Sequence, residues 1–520
     1  MPVISRAIPT LLRGISQSSD ALKQPDHADI QDNADSNPVL GLTKRSGFQY
    51  VTALSSSTLG NVHIQTINRD ANERYVAIFS NGNVKVYELD GTEKTVNKPD
   101  GTAYLNTSTP RSVLKTVTIA DFTFVVNTSI TAAMDSTLSG GTGTKAIIFI
   151  NQATANTTYS VTIDGVTVTD NTSGDSTLST DTVAADLKTG LDSGLTGFTI
   201  VRNGPVLYVR KNDNSNFSID GSDTQGDTKM TIIKDSVQRF TDLPTVSPHG
   251  YVVEVKGDED TNFDNYYVKF VGNNTTTDGV LEEGQWEETV EAGIQFKFDY
   301  ATMPHVLVRQ ADGNFRFAKV DGDSYTLSGV TYTLPKWGER TVGDLVSAPN
   351  PSFIGNKINN VFFFRNRLGF LAGDNVILSR VSEFFNFFPE TVISVLDSEP
   401  IDVAASHTKV AILKSAVTMG ERLILFSEQT QFVLTSSADN LTPKTANVIV
   451  ATEFESSAAA QPVGSGSSIY FLTEKGSFAG IREYIIQGES QIRDAANITI
   501  HVPRLIPVSY THLTLPTSLI

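Results

Sequence analysis

Short alternating runs of hydrophobic and polar residues dominate the chain, and turn residues separate most of them. Residues 75–80 and 84–89 are two such runs, with Asn81-Gly82 between them. Asn-Gly suits the positive φ angles of a tight hairpin turn, so this segment predicts a β-hairpin in which both turn residues have positive φ. The same pattern predicts further hairpins at 114–119 with 122–127, 305–309 with 314–318, 422–426 with 431–435, and 468–472 with 478–486.

A three-stranded meander is predicted in the most apolar part of the chain. In its first strand Phe362 and Phe364 alternate with Val361 and Phe363, so both faces are apolar. A strand of this kind is expected to be buried on both sides, Phe363 included. The predicted strands are 361–364, 368–371 and 376–380, and the predicted turns are 365–367 and 373–375.

These hairpins predict a mainly β fold. They lack a strict period of about 40 to 50 residues, so a WD40 or kelch array is not indicated. We interpret them as an irregular β-propeller-like body of antiparallel hairpins, with an ordinary β-sandwich plus loops as the alternative.

The middle of the chain follows a different pattern. Residues 136–144, STLSGGTGT, are typical of a linker. One helix is predicted beyond it, capped by Asp181, because Val183, Leu187 and Leu191 repeat at a spacing of four. Strands at 145–150, 159–163, 166–169, 198–202 and 206–209 complete a small inserted α+β module, and those at 250–256, 266–271 and 286–289 predict a further sheet.

This reading divides the chain into five parts. They are an N-terminal β-rich part of the body (1–136), the inserted α+β module (137–235), an additional β-sheet segment (236–300), a β-rich propeller-like part (301–507) and a terminal segment (508–520). We expect 1–136 and 301–507 to form one body from which residues 140–235 protrude.

The terminal segment is interpreted as a sequencing-adapter artefact. Residues 508–517, VSYTHLTLPT, are the translation of a transposase adapter used in sequencing libraries. We expect the natural chain to continue beyond Pro507, His512 to carry no function, and deletion of the segment to leave folding of residues 1–507 unchanged.

The composition argues against several classes of protein. With 40 Lys and Arg against 57 Asp and Glu, the net charge is −17, which argues against a sequence-reading DNA-binding protein. The absence of cysteine excludes a disulfide scaffold, a cysteine-zinc site and an iron–sulfur site. Arg6, Pro9 and Arg13 interrupt any signal peptide, and Arg365 and Arg367 interrupt the longest apolar run, so no membrane-spanning segment is expected.

Candidate chemistry is sparse. The six histidines before the terminal segment are too far apart in sequence for a compact metal motif, and neither GxSxG, P-loop nor GxGxxG occurs. Those histidines are His27, His63, His249, His305, His407 and His501.

Acidic clusters have structural explanations. Asp258, Asp260, Asn262 and Asp264 follow the start of a calcium-loop spacing, but the required Gly and Glu are missing, so we interpret a solvated acidic turn. Residues 397–402 are interpreted in the same way. Glu282-Glu283 and Glu287-Glu288 flank Trp286; neighbouring strand residues point to opposite faces, so a charged hairpin edge is favoured over a glycosidase pair.

Several longer motifs occur in a fixed order along the chain. They are Gly14-Ile15-Ser16-Gln17, Pro25-Asp26, Asn33, GLTKR at 41–45, INRD at 67–70, VTIADFTFVVN at 117–127, Met303-Pro304-His305, ADGNF at 311–315, VFFFRNRLGFLAGDNVILS at 361–379, FFNFFP at 384–389 and EPIDV at 399–403. Together these motifs resemble tail tubular protein B, the nozzle protein family of short-tailed phages (podoviruses). The resemblance covers nearly all of residues 1–507, is weakest at about 137–235, and is densest from residue 361 onward.

The resemblance implies a structural role in the virion. It implies a homohexamer at the tail tip, which lines the channel through which the viral genome is ejected. Because no targeting segment is visible, we expect the chain to be made in the host cytoplasm. The implied partners are a tail tubular protein A-like adaptor, tail fibres, and double-stranded DNA in passage without sequence-specific binding. No catalytic, cofactor or metal residue is implied. A tail-associated polysaccharide-degrading enzyme and a receptor-binding adhesin are the alternatives.

The two arginines of the meander need partners. We expect Arg365 and Arg367 to donate hydrogen bonds to carboxylates or backbone carbonyls, with Asp397, Glu399 and Asp402 as candidates. The alternative is that both arginines line the channel and bind phosphate.

Overall fold

The computed structural model describes residues 10–140, 143–257, 265–274, 277, 279–406, 408, 411–437, 440–487 and 492–508. Antiparallel sheets make up most of it, so the prediction of a mainly β fold is confirmed. The described residues include two α-helices, α1 (Pro110–Val113) and α2 (Thr180–Gly194), and two 3₁₀ turns, Ala103–Leu105 and Phe240–Asp242. No helix in this part of the chain is long and apolar enough to cross a membrane.

Nine strands lie in the described N-terminal residues, 10–136. Strands β1 and β2 form a hairpin by themselves, β3 to β6 form a four-stranded sheet, and β7 to β9 belong to a sheet completed later in the chain. These strands are β1 (Ala34–Asn37), β2 (Gly41–Lys44), β3 (His63–Asn68), β4 (Arg74–Ser80), β5 (Asn83–Glu88), β6 (Glu93–Lys94), β7 (Val96–Asn97), β8 (Leu114–Ile119) and β9 (Phe122–Asn127).

The predicted Asn81-Gly82 turn joins β4 to β5, but its geometry differs from the prediction. Gly82 has φ 66°, whereas Asn81 is not among the residues with positive φ. The turn is held from outside, because the Gly82 amide donates to the Leu105 carbonyl (3.1 Å) and the Gly82 carbonyl accepts from Oγ1 of Thr102 (2.6 Å). These two hydrogen bonds to Gly82 fix the geometry of the turn.

The central module has two sheets and one helix. Its sheet orders are β13-β14-β10-β16 and β12-β11-β15. Val183, Leu187 and Leu191 of α2 are buried in the module core, which confirms the predicted helix face. The strands are β10 (Lys145–Ile150), β11 (Thr158–Ile163), β12 (Val166–Asn171), β13 (Phe198–Asn203), β14 (Val206–Lys211), β15 (Ile219–Asp223) and β16 (Met230–Ile233).

The prediction that Asp181 caps this helix is wrong. Oγ of Ser179 accepts from the Thr182 amide at 3.1 Å, and Oγ1 of Thr182 accepts from the Ser179 amide at 3.0 Å. Ser179 is extended (φ −149°), as an N-cap must be, while Asp181 lies in the first turn.

Replacing Ser179 with Ala is expected to destabilise α2 by about 1 kcal/mol, because one helix amide loses its acceptor. Hydrogen exchange of the helix amides measures this change. Ser193→Ala, near the other end of the helix, is the matched control and should leave exchange of the first turn unchanged. Equal effects of the two substitutions would contradict the assignment of the cap.

The next sheet packs on the module. Its order is β17-β19-β20-β21-β18, and Val253 and Phe270 share one apolar cluster with Ile147, Tyr208 and Ile233 of the module. The division of the chain at residue 235 stays a prediction. The strands are β17 (Ser236–Val237), β18 (Val246–Pro248), β19 (Val252–Val255), β20 (Tyr266–Gly272) and β21 (Leu281–Thr289).

The remaining strands form further sheets, which are antiparallel apart from the parallel pair of β7 and β23. The order β7-β23-β22-β9-β8 joins strands that precede the central module to strands that follow it, and β24 and β25 form a separate hairpin. Strands β22 to β29 are β22 (His305–Arg309), β23 (Phe315–Ala318), β24 (Ser324–Leu327), β25 (Val330–Thr333), β26 (Ile358–Phe364), β27 (Arg367–Ala372), β28 (Asn375–Leu378) and β29 (Ile401–Ala404).

The last strands form three sheets. Their orders are β26-β27-β28-β29, β30-β31-β32-β33 and β34-β35-β36-β37, and β38 pairs with β36. The predicted hairpins and the meander are therefore confirmed. The last strands are β30 (Ser415–Met419), β31 (Arg422–Phe426), β32 (Gln431–Ser436), β33 (Ala446–Thr452), β34 (Val463–Ser465), β35 (Ser468–Lys475), β36 (Phe478–Gln487), β37 (Ile492–Asn497) and β38 (Ile506–Pro507). The predicted artefact lies outside the described residues from 509 onward.

Strand β26 lies between two hydrophobic cores. Val361 packs in one core, and Phe362 and Phe364 pack in the other, as the two apolar faces predicted. Phe363, expected to be fully buried, is only half-buried and meets Phe384 edge-on at 5.4 Å. Phe363 lines an open cleft near the end of the hairpin, beyond the hydrophobic core that covers the rest of this strand face.

Candidate functional site

The candidate site lies where the meander turns from β26 to β27, around a buried arginine. Arg365 (φ 46°) and Asn366 (φ 58°) form a two-residue turn with both angles positive. Phe364 pairs with Arg367, so the turn is one residue shorter than predicted and Arg367 begins β27. That register places the Arg367 side chain inside the protein, where it is 1% exposed.

Backbone carbonyls surround the Arg367 guanidinium. Nη1 donates to the carbonyls of Ser379 (2.7 Å), Glu399 (2.6 Å) and Ser398 (3.3 Å), and Nη2 donates to that of Asp397 (3.0 Å). Burial lowers the pKa of Arg367 to about 10, so the group stays charged at pH 7. We call Arg367 and these four carbonyls the arginine clamp.

The prediction that Arg367 donates hydrogen bonds is confirmed, and its acceptors are backbone carbonyls. Asp397 and Glu399 take part through main-chain oxygens and not through their carboxylates. The Asp402 carboxylate instead accepts from the Ser352 amide (2.7 Å) and the Asn375 side chain (2.9 Å). The clamp therefore ties the 397–399 turn to the meander.

Glu399 departs from the predicted solvated turn. Its carboxylate is buried and accepts from the Glu390 amide at 2.9 and 3.1 Å. Nε of Arg380 lies 3.8 Å away, and Arg380 also pairs with Glu383 and Glu390. Burial raises the pKa of Glu399, although the Glu390 amide and Arg380 oppose the shift. The interpretation of residues 397–402 as solvated is thus wrong at Glu399.

Arg365 has a different environment. Its Nη2 donates to the Glu421 carbonyl at 3.3 Å and lies 3.7 Å from the Glu421 carboxylate, which is 93% exposed. It connects the tips of two hairpins at the surface. An exposed ion pair of this kind contributes little to stability.

The histidines considered as metal ligands have separate environments. His63 Nε2 contacts Oγ1 of Thr116 at 2.7 Å, and His305 stacks on Tyr104 with ring centroids 3.9 Å apart. His407 and His512 lie outside the described residues. Within the described chain, the three-residue group of His, Asp or Glu that could hold a metal contains no histidine: it is Asp100, Asp321 and Asp323.

Sequence reasoning missed this aspartate group. More than 200 residues separate Asp100 from the other two, so no local spacing signals it. Lys319 lies 3.4 Å from Asp100 and 3.3 Å from Asp321, so an ammonium group already balances part of the charge. The arrangement is that of a surface ion-pair network.

The residues around Trp286 are structural. Nε1 of Trp286 donates to the Pro244 carbonyl at 2.8 Å, and its ring meets Phe270 at 5.2 Å. The Glu288 carboxylate accepts from Oγ1 of Thr391 (2.6 Å) and the Val392 amide (2.7 Å). The prediction of a charged hairpin edge is wrong for Glu282 and Glu283, because β18 pairs with them. The calcium-like segment 258–264 lies outside the described residues.

Comparisons with known proteins agree with the motif pattern. A family described as bacteriophage nozzle protein matches residues 1–518. Tail tubular protein gp12 of Escherichia phage T7 is 35% identical over 530 residues, which is 98% of this chain and 63% of that protein. The chain thus spans less than two thirds of the length of this curated relative.

Solved structures give weaker matches. One is a putative 6-phosphogluconolactonase from Bacteroides uniformis (12% identity, 54% of this chain, 77% of that chain, TM-score 0.21). Another is an ancestral GH74 enzyme (8% identity, 85% of this chain, 72% of that chain, TM-score 0.18). Neither similarity supports a conclusion about fold or function.

Proposed function

This chain belongs to the bacteriophage nozzle protein family, and we propose that it is a structural subunit of a short phage tail through which the viral genome is ejected. The observation that carries the proposal is the family match over residues 1–518 together with 35% identity over 98% of the chain. Both matches are to a tail protein and neither is to an enzyme, which disfavours the polysaccharide-degrading alternative.

We further propose a homohexameric ring at the tail tip of the virion. A ring in which each subunit covers the sheet edges of the next removes strand edges that would otherwise promote aggregation. The antiparallel four- and five-stranded sheets support a propeller-like arrangement of the body. The sheet shared by β7 to β9 with β22 and β23 supports joining residues 1–136 and 301–507 into that body, with 137–235 as an accessory module.

Charge supports a conduit for DNA. Six copies at −17 carry −102 together, and a wall of that sign repels phosphates, so DNA passes without adhering. The adaptor and the tail fibres are the proposed neighbours of the ring. The arginine clamp fits this picture, since Arg367 is buried among carbonyls and is not available to phosphate.

Labelling of phage particles tests the role in the virion. Antibodies against this chain are expected to decorate the tip of the tail. Labelling of the capsid alone, or of no part of the particle, would contradict the proposal. Sugar release from host capsule by the purified chain would support the enzyme instead, and binding of the isolated chain to host cells would support the adhesin.

A further inference from the structure

An exposed apolar arm precedes the first sheet of the body. We define the arm as residues 38–51; it includes β2. Val39 is 88% exposed and Tyr50 is 79% exposed, and Leu40, Phe48 and Val51 are also exposed. The β1–β2 hairpin pairs with no other described strand, and an isolated two-stranded hairpin is marginally stable in water. The arm therefore needs a surface to cover it.

The arm is anchored on both sides. Before it, the Gln17 amide donates to the His501 carbonyl at 2.8 Å. After it, Thr52 and Leu54 pack against Gly91, where a Cβ would lie 2.0 Å from the Thr52 methyl group. The chain is therefore attached to the body 21 residues before the arm begins and directly after it ends.

The charge of the arm is one-sided. Residues 36–62 contain Lys44 and Arg45 and no Asp or Glu. Arg45 lies over the Phe48 ring at 4.5 Å, and neither basic group forms an ion pair with a described residue. A partner for the arm should therefore combine an apolar surface with carboxylates.

The same chain exposes such a surface elsewhere. We define the patch as two adjacent loops, residues 343–347 and 391–397. Val346 is 88% exposed and Ile393 is 55% exposed, and Leu345, Val395 and Leu396 are exposed beside them. Contiguous exposed apolar surface of this kind marks an interaction site.

The patch is held in place by polar contacts beneath it. The Glu288 carboxylate binds the start of the second loop through Thr391 and Val392. A Cβ at Gly343 would lie 2.7 Å from Val392, so glycine lets the two loops meet. The Asp344 carboxylate accepts from the amides of residues 346 (2.8 Å) and 347 (2.7 Å). The patch is therefore preorganised for binding.

Two carboxylates lie at the patch. Asp344 lies at one end of it, and the exposed Asp397 ends the second loop, whereas Glu390, just before that loop, already pairs with Arg380. The apolar arm carries two cations and the apolar patch carries an acidic rim, so the two surfaces are complementary in both respects.

We propose that the arm of one subunit docks on the patch of the next subunit. In a single chain both surfaces stay exposed, so the arm does not cover its own patch. Two different complementary surfaces on one chain make a head-to-tail contact, and such contacts close into a ring when the rotation allows it. This inference rests on the proposed ring and identifies its contact.

Cross-linking tests the contact directly, since the chain contains no cysteine. Tyr50→Cys and Ile393→Cys variants are purified separately, mixed at a concentration at which oligomers form, and treated with a short bis-maleimide. We expect a covalent dimer from this mixture. The matched control mixes Tyr50→Cys with Val330→Cys, which is exposed on the separate β24–β25 hairpin, and should give at least tenfold less dimer.

Charge reversal gives a second measurement. Lys44→Glu with Arg45→Glu should weaken self-association at least tenfold, and mixing with Asp397→Lys should restore a large part of it. Rings that form without the cross-link, and that tolerate the arm reversal, would overturn the docking while leaving the proposed ring intact. A chain that stays monomeric at every concentration would overturn both, and an arm that cross-links only to added adaptor would assign it to that partner.

Discussion

Replacing Arg367 with Glu is expected to prevent folding of the meander and the sheet that it forms. The guanidinium donates to four carbonyl oxygens and is 1% exposed. Glutamate cannot donate to them and places a buried negative charge against their oxygen atoms. The loss of a buried, fully hydrogen-bonded charge costs about 3–5 kcal/mol, a large share of the stability of a typical domain.

Arg365→Glu is the matched control, because it reverses charge two positions earlier on a partly exposed side chain. It should change the free energy of unfolding by less than about 1 kcal/mol. Soluble yield and urea unfolding of the two variants measure the difference. Normal folding of Arg367→Glu, with slowed DNA ejection from assembled tails, would instead favour a channel role for this arginine.

Acidification is expected to destabilise the protein through two histidines, the buried His305 and the half-buried His63. Burial lowers the pKa of His305 to about 4, and burial together with the charge of Lys115 lowers the pKa of His63 to about 4, from 6.5 in the unfolded chain. Between these values the unfolded chain binds protons that the folded protein excludes, so stability falls as pH drops from 6.5 toward 4. The expected loss is about 3 kcal/mol for each histidine.

Other acidic groups also titrate in this range, so the measurement is a comparison of variants. His305→Phe keeps a ring between Tyr104 and Phe317 but removes the titrating group. Its urea midpoint should fall less between pH 7 and pH 4.5 than that of the parent chain. His501→Ala, on the exposed surface, should follow the parent. Parallel pH profiles for all three proteins would show that His305 does not control acid stability.

Local patterns explain what could be predicted from the sequence. The hairpins depend on turn residues and on alternation within a few positions, and α2 depends on the spacing of Val183, Leu187 and Leu191. The prediction that Arg365 and Arg367 donate hydrogen bonds to carboxylates or backbone carbonyls is also confirmed. Even so, alternation shows which face Phe363 occupies and not how far the covering core extends, which is why its burial was overestimated.

Contacts between distant segments could not be predicted. Strand β7 pairs in parallel with β23 across more than 200 residues, and Asp100 meets Asp321 across a similar separation. No periodicity connects such positions. The helix cap was predicted wrongly for another reason. Ser and Asp are both good caps, and only the backbone angle decides between Ser179 and Asp181.

Electron microscopy of the purified protein, alone and mixed with its tail adaptor, tests whether the chain forms a tail ring. We expect rings with six-fold symmetry, an open central channel, and stacking of the ring on the adaptor. Particles of any other symmetry, or monomers that persist in the presence of the adaptor, would contradict this expectation.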